Sequence, residues 1–126
     1  MALACLDIYE EMALPDLTKR LGARIAQHLA SIARRDGVLD VRCQGMLAAV
    51  EFETDGPQGP GLARRVGIEA EARGVLFRII GDVLAIAPPY ICSEADIDEI
   101  MAVMSASIRA VTGAGVGARA GAEPAA

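Results

Sequence analysis

The sequence predicts a small α+β domain of two layers, in which helices cover a largely antiparallel sheet. Three observations carry this expectation. Apolar residues recur first with helical spacing and then in short β-rich runs, in the order helix, helix, strand, strand, helix, strand, strand, helix. The last two runs are joined by only Gly81-Asp82, the length of a tight hairpin, so they pair antiparallel. The length, 126 residues, suits one domain with one core.

Residues 2–12 read as a short helix with Leu3, Leu6 and the pair Ile8-Tyr9 on its apolar side. Leu14-Pro15 interrupts it, because proline fits the first turn of a new helix and not an interior. Leu14, Leu17, Leu21, Ile25, Leu29 and Ile32 then follow at spacings of three and four, which places them on one helical face. Asp16 near the start and Arg34-Arg35 near the end suit the helix dipole, and Gly37 is a natural terminator. His28 lies beside this stripe. It has no second histidine to share a ligand, so it reads as a boundary residue.

Two strands are expected over 38–43 and 46–52, joined around Gly45. Residues 54–61 hold three Gly and two Pro and read as a surface loop. A helix over 62–73 turns Leu62, Val66 and Ala70 inward, with Gly74 as its cap. Strands over 75–80 and 83–87 follow, and Pro88-Pro89 ends the sheet. Ser93 and Asp96 resemble a capping box that starts the last helix, whose apolar face is Ile97, Ile100, Met101, Met104 and Ile108. After Val111 the composition falls to mostly Gly and Ala, so 112–126 reads as a disordered tail.

Composition narrows the function. The net charge is -5, from 12 basic and 17 acidic residues without a basic stripe, which argues against a nucleic-acid partner. The longest apolar run, 83–92, is far short of the ~20 residues of a membrane span. The amino terminus carries Asp7, Glu10 and Glu11 and no basic leader, unlike a secretory signal. Cys5, Cys43 and Cys92 are widely spaced, and with a single histidine they make no metal site, so the expectation is cytoplasmic thiols.

No GxGxxG, GxxxxGK[ST] or GxSxG is present. Lys19, the only lysine, sits beside Arg20 in a charged stretch, not in the desolvated setting of a catalytic amine. Glu10-Glu11, and Asp96 with Asp98-Glu99, read as helix-end and solvated carboxylates. Arg78 is the residue out of place. Both faces of 75–80 are otherwise apolar, as in a strand covered on both sides, and an unpaired buried guanidinium costs on the order of 3–5 kcal/mol. Arg78 therefore pairs with Asp82 across the hairpin turn, lies on an exposed edge, or serves a site.

Four blocks, read together, resemble the C-terminal part of class III pyridoxal-phosphate-dependent aminotransferases. They are Ala2-Leu3 through Leu6-Asp7-Ile8-Tyr9-Glu10-Glu11; Val41-Arg42-Cys43-Gln44-Gly45-Met46-Leu47 through Glu51-Phe52; Arg73-Gly74-Val75-Leu76-Phe77-Arg78 with Gly81-Asp82; and Ala87-Pro88-Pro89-Tyr90-Ile91 with Ser93 and Ile97-Asp98-Glu99-Ile100. Cys43 stands where the family usually has glycine, and Tyr90 where an aliphatic residue is commoner.

The resemblance implies that 1–111 form the C-terminal small domain of a fold-type I enzyme, with 1–35 as helices leading from a large domain. It implies a transaminase moving an amino group from an amine or ω-amino acid to a keto acid such as pyruvate, in a homodimer. In the FRxxGD stretch, Arg78 matches the arginine that binds the substrate carboxylate. The cofactor, pyridoxal 5'-phosphate, is held in the family by a lysine, an aspartate and phosphate-binding residues of the preceding large domain. None of those has a counterpart here, so no catalytic, cofactor-binding or metal residue is assigned, and the isolated chain is expected to be inactive. Met1 aligns just past that domain, which implies a truncated product or the second piece of a split enzyme. Two alternatives stand beside this. One is a non-catalytic interaction or ligand-binding module. The other is a class III enzyme of the diaminopelargonate or acetylornithine type, against which the FRxxGD stretch argues.

Overall fold

The structure, a computed structural model, describes residues 1–54, 56, 59 and 61–119, with side chains through Gly113. The elements follow the expected order: α1 (Ala2–Glu11), α2 (Leu14–Ile32), β1 (Val38–Gln44), β2 (Leu47–Phe52), α3 (Leu62–Ala72), β3 (Arg78–Ile80), β4 (Val83–Ile86) and α4 (Glu94–Arg119). The strands form one sheet in the order β1-β2-β4-β3, with each neighbouring pair antiparallel. Helices α2 and α3 lie against the sheet, and α4 packs on both of them.

The core follows from the periodicities. Leu21, Ile25, Leu29 and Ile32 of α2 are buried, as are Val66 and Ala70 of α3 and Ile97, Met101, Met104 and Ile108 of α4. Strand β2 alternates, with Ala48, Val50 and Phe52 buried, and their partners Ile86 and Leu84 on β4 are buried too. One face of the sheet is thus packed under helices. Among the described residues nothing covers the other face.

Local chemistry sets the joints. Ala13 adopts a left-handed conformation (φ 46, ψ 52) between α1 and α2, and Pro15 lies in the first turn of α2. Gly45 (φ 57) and Gly81 (φ 59) each take the first position of a two-residue hairpin loop, which a side chain would strain. The capping box forms as expected: the Asp96 amide donates to Ser93 Oγ at 3.1 Å, and the Ser93 amide donates to Asp96 Oδ2 at 2.7 Å.

Two segments differ from expectation. β3 covers only residues 78–80 and lies at the edge of the sheet, so the segment 75–80 is not a strand covered on both sides. Residues 75–77 leave the sheet because Phe77 turns into the core while Leu76 is 81% exposed. The final helix also runs past Val111 to Arg119. Thr112 Oγ1 bonds back to the Ile108 carbonyl, and the interspersed glycines cost a helix only about 1 kcal/mol each without ending it. The remainder of the expected tail, 120–126, lies outside the described residues.

Two helical glycines should respond oppositely to alanine. A Cβ on Gly22 would lie 2.4 Å from the Gly45 carbonyl oxygen, so α2 touches the β1–β2 turn backbone to backbone. Gly22→Ala is expected to destabilise by about 1–3 kcal/mol despite its better helix propensity. Around Gly113 nothing lies within 4 Å, and Gly113→Ala should stabilise by about 0.5–1 kcal/mol. Urea midpoints of the two variants check both signs.

Candidate functional site

The open face of the sheet is organised in cross-strand rows. Directly opposed residues of antiparallel strands share a face, and Arg42 opposes Ala49, Ala49 opposes Ala85, and Ala85 opposes Arg78. The buried row Val50–Leu84 lies on the helical face, so this next row points the other way. Two arginines therefore stand at opposite ends of a row floored by two alanines.

The two guanidiniums differ in what holds them. Arg42 Nη1 donates to Asp40 Oδ2 at 2.8 Å and to Glu51 Oε2 at 2.7 Å, which fixes it within the sheet and raises its pKa. Arg78 is exposed, and among the described residues it has no hydrogen-bonding or ion-pair partner. The expected pair with Asp82 does not form. Asp82 Oδ2 instead accepts from Thr54 Oγ1 at 3.0 Å, and the Asp82 carbonyl accepts from the Phe52 amide at 2.8 Å. Of the possibilities open from the sequence, Arg78 occupies the exposed edge.

Large apolar residues are exposed as well. Leu47, Ile80, Leu76 and Ile91 are exposed, and α1 buries none of its residues, with Leu3 77% exposed. Singly, exposed apolar residues are ordinary, but a whole helix without a buried side chain is not.

A second cluster joins α2 to α4, and the sequence did not reveal it. Arg24 donates to Asp98 through Nε at 2.8 Å and Nη2 at 2.6 Å, a bidentate grip, and His28 Nε2 lies 2.7 Å from Asp98 Oδ1. Glu94 adds looser contacts to Arg20 at 3.5 Å and Arg24 at 3.9 Å. Asp98 is therefore not the plain solvated carboxylate expected from its position, and His28 does have a partner. The spacings 24/28 and 94/98 were the available signal, since each places two residues on one face of its helix. Hydrogen bonds from Arg24 and then His28 hold the Asp98 carboxyl well below the usual carboxylate range. A carboxylate so fixed is a poor general base. The thiols are no better nucleophiles: burial pushes Cys43 and Cys92 up, away from the thiolate.

The family follows from the whole chain. The sequence model described as aminotransferase class-III matches residues 1–108. The chain belongs to the class-III aminotransferases. Probable gamma-aminobutyrate transaminase 2, mitochondrial, of Oryza sativa subsp. indica is 29% identical over 116 residues, covering 87% of this chain and 23% of that protein. Adenosylmethionine-8-amino-7-oxononanoate aminotransferase of Nitratidesulfovibrio vulgaris is 32% identical over 117 residues, 88% of this chain and 22% of that protein. Among solved structures, a transaminase with L-alanine superposes with a TM-score of 0.83 at 29% identity, covering 90% of this chain and 28% of that one. The omega transaminase from Pseudomonas jessenii in complex with PMP gives 0.78 at 27%, covering 85% and 25%. The chain thus spans less than a third of the length of each of these proteins.

The described residues do not fit the family's cofactor. Lys19 is exposed on α2, on the helical side of the sheet, whereas Arg78 opens to the other side. No cluster of three His, Cys, Asp or Glu that could hold a metal occurs among the described residues.

The Asp98 cluster predicts a pH dependence of stability. A carboxyl whose pKa is lower folded than unfolded contributes stability above its unfolded value, near 4, and loses it as pH falls through the folded value. The wild-type urea midpoint should therefore fall as pH drops below about 4. Asp98→Asn should be less stable at neutral pH and should lose part of that acid sensitivity. Parallel pH profiles of the two proteins would show no such difference if Asp98 were merely solvated.

Proposed function

We propose that this chain is the small-domain portion of a pyridoxal-phosphate-dependent transaminase that moves an amino group from an amine or ω-amino acid to a keto acid such as pyruvate. Arg78 then receives the carboxylate of the substrate. The observation that carries the reading is the contrast between the two arginines of the open face. Arg42 is already held by two carboxylates, while Arg78 has no acceptor among the described residues.

The chemistry assigned to Arg78 is recognition. A guanidinium grips a planar carboxylate through two parallel hydrogen bonds, which an ammonium cannot reproduce. Its flexible stem on an edge strand lets it turn to solvent when an apolar amine occupies the same place. The cofactor supplies the electron sink for the amino transfer. In this reading the cofactor and its lysine belong to a large domain, in the same polypeptide or another, and the assembled enzyme is a homodimer. The apolar α1 and the open sheet face are the surfaces that such a domain would cover. Three free thiols fit a reducing compartment such as the cytosol. The printed names of the Oryza sativa relatives favour an ω-amino acid, since gamma-aminobutyrate carries its amino group and carboxylate at opposite ends. The name of the Nitratidesulfovibrio vulgaris relative favours a second reading, 8-amino-7-oxononanoate as the acceptor.

The test is made in the enzyme assembled with its large domain. Arg78→Ala should lower kcat/KM for carboxylate substrates by about ten- to a hundredfold, the value of one hydrogen bond to a charged group, ~1.5–3 kcal/mol. The half-reaction with an amine lacking a carboxylate should fall much less, and Arg78→Lys should restore only part of the loss. Equal losses for the two substrate classes would remove the substrate role. Activity with adenosylmethionine as donor and 8-amino-7-oxononanoate as acceptor, exceeding that with ω-amino acids, would favour the second reading.

A further inference from the structure

Asp82 is the carboxylate nearest to Arg78 in sequence, across the two-residue turn of the β3–β4 hairpin, yet the two do not pair. The strand order shows what Asp82 does instead. β4 lies between β2 and β3, so a residue at its start can reach toward either neighbour. Asp82 reaches toward β2. Its carbonyl accepts from the Phe52 amide at 2.8 Å, and its Oδ2 accepts from Thr54 Oγ1 at 3.0 Å. Its Oδ1 lies toward Gly61, where an added Cβ would stand 3.8 Å away. The carboxylate is thus held between the two ends of the 54–61 loop, while Arg78 stands on β3, the strand on the other side of β4.

Freed from the Thr54 hydroxyl, this carboxylate would have a second partner within reach. The end of β3 and the turn separate Arg78 from Asp82 by roughly 10 Å at ~3.3 Å per residue, a span that an extended arginine and an aspartate cover together. A carboxylate tethered in the same chain acts at a high effective concentration, so it competes with any carboxylate arriving from solution. The Phe52 contact uses the Asp82 carbonyl and not its side chain, so the turn keeps its place when either side chain is changed. Only the direction of the carboxylate depends on Thr54.

We propose that Thr54 is a positioning residue: by holding the Asp82 carboxylate toward β2, it keeps Arg78 open for the carboxylate of a substrate. The proposal rests on the reading of Arg78 as a carboxylate grip and deepens it, naming the intrachain competitor and the hydroxyl that restrains it. A hydroxyl suits this task. It donates a hydrogen bond to Asp82 without introducing a second cation to compete with Arg78 for the substrate.

Two measurements separate this proposal from the reading it rests on. In the full chain, the NMR signal of the Arg78 Nε–H reports ion pairing through its hydrogen-exchange rate. Thr54→Val should slow that exchange and shift the signal, and Thr54→Ser should leave both near wild type. Adding Asp82→Asn to Thr54→Val should restore them. In the enzyme assembled with its large domain, Thr54→Val should raise KM for carboxylate substrates about two- to fivefold, the worth of one exposed ion pair. The change in kcat, and in the half-reaction of an amine lacking a carboxylate, should be smaller. Asp82→Asn should cancel the rise in KM. An Arg78 signal unmoved by Thr54→Val, in a variant whose amide spectrum shows it folded, would overturn the proposal whatever Arg78 binds. A rise in KM that Asp82→Asn does not cancel would overturn it too, leaving Thr54 as an anchor of the loop. If the signal moves but Arg78→Ala spares carboxylate substrates, the restraint of Asp82 stands, and the grip falls together with the role assigned to Thr54.

Discussion

Among the described residues only one face of the sheet is covered, and most of what the molecule offers follows from that asymmetry. Ala48, Val50, Phe52, Leu84 and Ile86 turn toward the helices and form the core with α2, α3 and α4. The alternation that puts them there necessarily puts Arg42, Ala49, Ala85 and Arg78 on the opposite side. The open face is therefore not a separate design element. It is the other half of the packing pattern, and a one-residue slip in register would exchange the two. Register is held where α2 meets the β1–β2 turn. The contact of Gly22 with Gly45 leaves no room for a side chain, and it fixes the hairpin relative to the helix layer.

The helix layer is tied by polar contacts of a different kind. Met101 and Met104 fill the core, and flexible apolar side chains of this sort pack well but specify alignment poorly. The bidentate contact of Arg24 with Asp98, together with His28, supplies direction between α2 and α4. The cluster is partly exposed, so its contribution to stability is modest and is present only while Asp98 is ionised. It also sets the helices relative to one another. It has no line to Arg78, which points away from the helical face, so the two charged features of the domain are independent.

Element order, the helical stripe of α2, both hairpins and the capping box were legible because each is a local pattern read over a few residues. The tertiary facts were not. The 24/28 and 94/98 spacings put each pair on one helix face, but they do not bring the two faces together across the 70 residues between His28 and Asp98. The length of β3 was hidden for a related reason. Val75 to Phe77 are β-prone, but Phe77 is drawn into the core and pulls the chain away from β4 before a ladder can form. The extension of α4 was missed because a Gly- and Ala-rich composition reads as a disordered tail, whereas glycine weakens a helix without ending it. Arg78 was conspicuous by contrast. A charge in an apolar run is rare enough to notice, and only the register could show which face it takes.

That face also bears on how the family's chemistry is divided. A transaminase needs a cofactor, an amine to hold it and a group that recognises substrate. Lys19 and Arg78 lie on opposite sides of the sheet, and the sheet and its helices are packed solid between them. No bending of a side chain brings the two together, so this domain cannot supply both functions to one site. What its open face presents is a paired arginine, a row of small residues and an exposed arginine without an acceptor among the described residues. An interaction module that had shed its chemistry would be under no physical need to keep that guanidinium without an acceptor while its neighbour in the same row is doubly paired. The asymmetry between Arg42 and Arg78 is the observation on which the proposed recognition role rests.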